Sequence, residues 1–473
     1  MRLVLKSLKW LCGLALLATL GLAAWLYFLP PALIQVGGGY AAKIVCSNVF
    51  LAGRDADEVL RIDVQAPGHP LLKLMRVSVD EEERTVTAGL LGVFGRETAL
   101  MRGGGLGCSS VPDGDIEAAK AAVDVSLPPI AALPDAPWPE GNRVDAPRDP
   151  GLAAVLGDPA LTGPGMRAVV VVRDGRIAGE TYGEGFSAET PLLGWSMAKT
   201  VTAALVGTVV GAGRMSVDDA GLLAGWTDGR AAIRVGDLMA MSSGLEFNED
   251  YGDVTDVTRM LYLEPDMAAF AAAKPLAGAA GGVFSYSSGT TAVLSRLWQE
   301  RVSGEAAQWP RAKLFAPIGM TSAVLEMDER GTFVGSSYVY ATARDWARFG
   351  QFLLQDGVWN GTAILPPGFV AWMREAAPAS QGKYGRGQLW LRGPRGGLPP
   401  DADPDAGMGL PEDTYWLQGH DGQSVAVIPS RRLVVVRMGL TPSKLGYRPQ
   451  ALVGAVSKWA EQDGSSVAPA AFP

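Results

Sequence analysis

The first hydrophobic feature of the chain is an uncharged, mostly apolar run from Trp10 to Leu29. Its 20 residues, at 1.5 Å rise each, span about 30 Å of hydrocarbon. Arg2, Lys6 and Lys9 precede it, a charge bias that keeps residues 1–9 in the cytoplasm and sends the rest across. Cleaved signal peptides have shorter apolar cores, about 7–15 residues, so the length favours an uncleaved single-pass anchor over a signal peptide or a buried core helix. The expected location is the bacterial inner membrane, with the body of the protein on the periplasmic side.

Beyond the anchor the pattern changes to short alternating runs, Leu60 to Val64, Arg76 to Val79 and Arg84 to Ala88, followed by a glycine-rich stretch from Gly103 to Gly107. This predicts a small module over 36–125 to which no chemistry is assigned. Prolines then crowd 126–150 (Pro128, Pro129, Pro134, Pro137, Pro139, Pro147, Pro150), which reads as a stiff strap or linker with few amide donors. The main domain is expected over 151–462 and a Ser/Ala/Pro-rich, disordered tail over 463–473.

Within the main domain, the β-branched run Ala168 to Val172 ends in Arg173-Asp174-Gly175-Arg176 and returns as Ile177 to Tyr182. Asp-Gly supplies the positive φ that a tight hairpin needs. A second hairpin is predicted from Ser424 to Ile428 and Leu433 to Met438, around Pro429 to Arg432, and a closing helix from Pro449 to Glu461. The region between the hairpins reads as mostly helical. Strands at both ends with helices between them imply an α+β domain: an antiparallel sheet flanked by helices, with a helical insertion.

Composition narrows the chemistry. With 48% hydrophobic residues a large core can be buried, and a net charge of −8 without basic runs argues against nucleic acid. His69 and His420 are the two histidines, and Cys12, Cys46 and Cys108 the three cysteines. That is too few for the usual structural or catalytic zinc sites, so no metal and no cofactor is expected. Once translocated, Cys46 and Cys108 can pair as a disulfide or stand as two separate buried thiols.

The candidate nucleophile is Ser196. In Gly194-Trp195-Ser196-Met197-Ala198-Lys199-Thr200 it opens a helix-like stretch, apolar at Val201, Leu205 and Val209, that runs to Gly211. Residues three apart share a helix face, so Lys199 can meet Ser196. The free amides at a helix start favour a developing oxyanion. A desolvated lysine tends to its neutral form, which can take the serine proton. Alone the motif is weak, since Ser-x-x-Lys is expected about once by chance. A second match, Ser380 to Lys383, falls in a non-periodic loop and is set aside; the plain alternative for Ser196 is a helix cap with Lys199 at the surface. Two further stretches add to it: Phe284-Ser285-Tyr286-Ser287-Ser288-Gly289, whose tyrosine can relay protons, and Gly419-His420-Asp421-Gly422-Gln423, which opens a strand where a substrate can lie along the edge.

In this order and spacing the three motifs resemble the serine β-lactamase/penicillin-binding-protein superfamily, and within it the class C β-lactamase-like esterases and aminohexanoate-dimer hydrolases. Asp237 to Leu245, Pro317 to Met320 and Tyr340 to Gly350 share the likeness, which covers roughly 160–460. The resemblance implies a serine hydrolase that cleaves an amide or ester through an acyl-enzyme on Ser196, with Lys199 as base and Tyr286 as proton relay. Ser288 would occupy the third position of the Tyr-x-Asn/Ser motif, and His420, Gly422 and Gln423 would line the substrate and oxyanion site. The Lys-Thr-Gly of true class C β-lactamases is replaced by His420-Asp421-Gly422, which argues for ester or amide substrates over β-lactams. The competing expectation is a membrane-bound penicillin-binding or peptidoglycan sensor with little turnover. Partners are thus a small-molecule or peptide-like substrate and, through the N-terminal helix, the membrane.

Overall fold

A computed structural model describes residues 2–66, 68–123, 125, 127–145, 149–399 and 401–464. The chain divides into two compact units. The first comprises Met1–Met101, Cys108–Ala121 and Asp250–Pro265; the second comprises Arg102–Gly107, Ala122–Glu249 and Asp266–Pro473.

The first unit begins with the helix Arg2–Phe28. Over Lys6–Phe28 it is long and apolar enough to cross a membrane, and its side chains are exposed. A second helix, Ala32–Phe50, lies on a four-stranded antiparallel meander, Met75–Asp80, Thr85–Leu90, Phe94–Met101 and Cys108–Val111. Its Gly37-Gly38-Gly39 run is what permits the close approach: a Cβ on Gly38 would stand 2.7 Å from the Gly95 carbonyl oxygen. Cys46 on this helix and Cys108 on the last strand form a disulfide with a Cα–Cα distance of 6.2 Å. The helix Asp256–Leu263, far along the chain, packs on the same helix. The alternating run Leu60 to Val64 forms a wide helical turn, Leu60–Gln65. Three apolar residues at spacing two fit one face of a strand or one turn of helix equally, and here the turn packs on the helix Ala32–Phe50.

The second unit is built on a five-stranded antiparallel sheet in the order Tyr415–Gly419, Gln423–Ile428, Leu433–Gly439, Met166–Arg173, Arg176–Tyr182. The two ends of the domain meet in its centre, where Val435 pairs with Val171 and Val434 with Val172. The first hairpin turns at Asp174 and Gly175, at φ 50° and 77°, the left-handed pair that the Asp-Gly sequence favours. Every side chain from Ala168 to Val172 is buried, so both faces of the sheet are covered. Val169, Val171 and Val435 face Leu152 and Leu156 of one helix and Leu452, Val453 and Val456 of the closing helix Gln450–Gly464. On the other face the helix Ala343–Leu354 lies flat at Gly350, where a Cβ would come within 2.5 Å of Val434.

The proline-rich stretch packs as part of this unit. Trp138 is buried, and the buried Arg348 guanidinium donates to the carbonyls of Pro139 and Gly141. Residues 146–148 of the strap lie outside the described residues. The predicted tail starts inside the closing helix, and 465–473 also lie outside them.

Candidate functional site

Ser196 precedes the helix Met197–Gly211, and Lys199 sits in its first turn. The hydroxyl of Ser196 makes no cap with the helix backbone, so the plain cap reading fails and the oxygen is available for chemistry. Trp195 takes a left-handed φ of 47°, which turns the chain sharply between Gly194 and the helix. The amides of Met197 and Ala198 donate back to Gly194 and Trp195, whereas that of Ser196 has no carbonyl acceptor among the described residues. Buried threonines hold the helix in place: Thr200 donates to the Gln388 carbonyl at 2.7 Å and Thr202 to that of Gly335 at 2.9 Å.

Lys199 is 1% exposed, so the surface-residue alternative fails too. Its ammonium donates to Ser196 Oγ at 3.1 Å, to Ser288 Oγ at 2.9 Å and to the Ser336 carbonyl at 3.0 Å. Three donors meet three acceptors, which is the full capacity of the charged form. Burial nevertheless pushes the lysine down to about 8, against an upward pull from Glu249. A lysine near 8 is neutral often enough at physiological pH to act as a base.

The segment carrying Tyr286 is hung on the Asp237 to Leu245 stretch. Gly281 donates to the Ser242 carbonyl at 2.7 Å and Ser285 to that of Met241 at 2.8 Å. The Tyr286 ring lies over Lys199, with Nζ 4.7 Å from its centroid. Burial holds the phenol well above its usual value, with Tyr384 and Glu249 adding to the shift and the neighbouring Ser196 side chain opposing it. At neutral pH it is therefore a donor rather than a phenolate. Tyr384 and Trp390 flank it, ring centroids at 6.0 and 5.3 Å. Ser287 caps the helix Ser288–Val302 through the Thr290 amide, which leaves the Ser288 hydroxyl free to face Lys199.

The third motif arrives at the strand end Tyr415–Gly419. A Cβ on Gly419 would stand 2.2 Å from the Gly194 carbonyl oxygen, so only glycine lets this strand lie against the nucleophile turn. His420 is exposed, and its ring contacts Trp195 edge-on at 5.7 Å. Its Nε2 lies 3.5 Å from the Asp421 carboxylate. Gly422 adopts φ 86° and its carbonyl accepts from Arg437 at 3.0 Å, so its part is to turn the backbone. The Gln423 side chain takes no part in the site, which leaves its backbone amide, the group the resemblance implies at the oxyanion. The side-chain amide is turned into the sheet, where Oε1 accepts from the Gly439 amide at 2.8 Å and Nε2 donates to the Gly439 carbonyl.

Ser196, Lys199, Tyr286 and Ser288 are thus brought together, with His420 at the rim. Trp195, Trp346 and Trp416 are buried, Trp195 contacting His420, and the less buried Trp390 contacts Tyr286. Sequence reasoning missed Glu249. Both of its carboxylate oxygens accept from Ser288, from the amide at 2.7 Å and the hydroxyl at 2.5 Å. Within Asn248-Glu249-Asp250 it looks like part of a solvated turn, and only the fold shows which of these side chains points inward. Among the described residues no cluster of His, Cys, Asp and Glu could hold a metal ion.

The fold has known counterparts. A curated relative, the 6-aminohexanoate-dimer hydrolase of Paenarthrobacter ureafaciens, is 28% identical over 284 residues, covering 53% of this chain and 69% of its own. Among solved structures, a candidate 6-aminohexanoate-dimer hydrolase of Bacillus anthracis superposes with a TM-score of 0.50 at 21% identity, over 64% of this chain and 79% of its own. A candidate β-lactamase of Bacteroides dorei DSM 17855 gives 0.51 at 20%, over 64% and 95%. At those identities the solved structures speak to the fold alone. Residues 159–449 match the Beta-lactamase family model, and the chain belongs to that family, within the serine β-lactamase and penicillin-binding-protein superfamily.

Proposed function

We propose that this protein is a membrane-tethered serine hydrolase that cleaves esters or amides through an acyl-enzyme on Ser196. The observation that carries the reading is the buried Lys199 Nζ held 3.1 Å from Ser196 Oγ. In its neutral form Lys199 takes the hydroxyl proton as Ser196 attacks the carbonyl. The developing oxyanion is met by the Ser196 amide at the helix start and by a backbone amide at the His420 to Gln423 turn; one such donor is worth about 3–4 kcal/mol. The Tyr286 phenol, held protonated beside Ser196, passes a proton toward the leaving group. Water then releases the acyl group.

The helix over Lys6–Phe28 supplies the anchor, with the catalytic unit on the far side from the cationic N-terminus. Cys46–Cys108 pairing fits an oxidising compartment. At the strand edge, the resemblance sets His420 and Asp421 in place of the lysine and threonine that a β-lactamase offers to the substrate carboxylate. Asp421 is a carboxylate itself, which disfavours penicillins and cephalosporins. The test is a fluorophosphonate probe followed by a substrate panel. The probe labels the wild type and not Ser196→Ala, and p-nitrophenyl esters turn over far faster than a chromogenic cephalosporin. A wild type that resists labelling refutes the mechanism, and efficient cephalosporin turnover refutes the substrate class.

A further inference from the structure

A side chain that the reaction just described leaves unused is Glu249. The residue is half-buried, yet neither carboxylate oxygen is spent on solvent-facing partners: Oε2 accepts from the Ser288 amide at 2.7 Å and Oε1 from the Ser288 hydroxyl at 2.5 Å. Enclosing a carboxylate beside an apolar wall costs free energy unless it is paired and bonded. Burial does raise its pKa, opposed by the charge on Lys199, by both Ser288 bonds and by His420. A residue placed at such cost calls for a reason.

The reason lies in how the hydrogen bonds are directed. A serine hydroxyl has one proton. Because Ser288 gives that proton to Glu249, its oxygen can only accept from Lys199. The Ser336 carbonyl can also only accept. Once Lys199 is neutral it has two N–H bonds and one lone pair. The two acceptors, Ser288 Oγ and Ser336 O, take the two hydrogens. The lone pair is left facing the one remaining neighbour in the set, the Ser196 hydroxyl at 3.1 Å, which is the proton it must remove.

We infer that Glu249 is a positioning residue for the acyl-enzyme reaction: its carboxylate fixes the direction of the Ser288 hydrogen bond and thereby aims the Lys199 lone pair at Ser196. The inference rests on the proposed Ser196 mechanism. The same carboxylate opposes the desolvation of Lys199 and keeps it a stronger base than burial alone would allow. An alternative role is structural only, since an anion at the start of the helix Ser288–Val302 also satisfies a free amide there. The two roles differ in what removal does to the pH profile.

In Glu249→Gln the side-chain amide can donate to Ser288 Oγ, so the serine proton is free to turn toward Lys199 and compete for its lone pair. Loss of the negative charge also lets the pKa of Lys199 fall. The expected signature, read with a p-nitrophenyl ester on the full-length protein in detergent, is a plateau kcat lowered about tenfold or more. It is joined by an acid limb displaced to lower pH by about half a unit or more. Glu249→Asp keeps the charge and holds the limb near its wild-type position. Ser288→Ala lowers the plateau and makes the further change Glu249→Gln nearly silent in kcat, because both act through one hydroxyl. A Glu249→Gln protein with the wild-type limb, or losses that simply add, overturns the inference. Should Glu249→Gln fail to give the wild-type melting profile, Ser288→Ala decides alone: a wild-type plateau overturns the inference, and a lowered one supports it. Fluorophosphonate labelling of wild-type Ser196 separates the two levels. Without labelling the underlying mechanism is wrong and this inference falls with it; with labelling and a wild-type profile in Glu249→Gln, only the role of Glu249 is wrong.

Discussion

The Tyr286 ring covers Lys199, with Nζ 4.7 Å from its centroid, while the phenol of the same residue has the Ser196 side chain as a neighbour that opposes the rise in its pKa. One side chain therefore does two separable things: its face shields the lysine from water, and its oxygen handles a proton. Tyr286→Phe divides them. The ring and the shielding remain, so the pH at which Lys199 titrates stays near wild type. The proton path to the leaving group is lost, and kcat for an amide substrate falls by about 10²–10⁴-fold, the usual worth of a positioned acid or base. Esters with good leaving groups need less help and lose less. A comparison of anilide and p-nitrophenyl ester turnover in the variant checks this, and equal losses on both would count against a leaving-group role.

The pH dependence follows from Lys199, which burial brings down to about 8. The base must be neutral, and protonation proceeds as pH falls through that value. Activity is therefore half-maximal near pH 8, approaches its plateau about a unit above, and declines toward acid, near tenfold per unit once the charged form dominates. Lys199→Arg keeps a cation at the site but cannot give it up in the accessible range, so it is inactive at every pH rather than shifted. A kcat/KM profile from pH 5 to 10 on both proteins checks both statements.

The legibility of this architecture in the sequence was uneven, for physical reasons. The sheet was readable because five consecutive buried residues, Ala168 to Val172, and an Asp-Gly turn are strong local signals. The cluster of Ser196, Lys199, Tyr286 and Ser288 was readable because each sits in a short motif whose spacing is local. The side-chain contact of Gln423 was not, because its capture by Gly439 depends on a neighbouring strand sixteen residues away. Glu249 was hidden for the same reason, since its partner Ser288 lies 39 residues on. The helix Ala32–Phe50 was obscured by three successive glycines, which weaken helix propensity but are needed for its approach to the strands.

Arg348 carries the packing of the proline-rich strap. Its guanidinium donates to Asp345 at 2.7 Å, to the Pro139 and Gly141 carbonyls and to the Asn142 side chain, with both Arg348 and Asp345 shielded from solvent. Removing one partner strands the other charge in the interior. Arg348→Met is expected to destabilise the protein by about 3–5 kcal/mol, far more than an exposed pair would cost. Replacing both residues, Arg348→Met with Asp345→Leu, recovers part of that loss because no buried charge is left alone. Thermal or denaturant unfolding of the three proteins measures the difference, and a double variant weaker than the single one would contradict the account.

The Cys46–Cys108 disulfide closes a loop with a sequence separation of 62, joining the helix Ala32–Phe50 to the last strand of the meander. Both sulfurs are fully buried in the folded unit, so the bond is protected from solvent thiols until that unit opens. Its main effect is on the unfolded chain. On the loop-entropy model a closure of that length is worth about 4 kcal/mol. The double variant Cys46→Ser, Cys108→Ser should therefore unfold at lower denaturant concentration and gain sensitivity to protease within 47–107, the loop that the bond had closed. No atom of either cysteine belongs to the Ser196 site, so ester turnover at 25 °C should stay close to wild type. Limited proteolysis with and without reductant, alongside the ester assay, tests the pair of expectations. Early loss of turnover in the variant would show that the first unit supports the reaction itself rather than only its own fold.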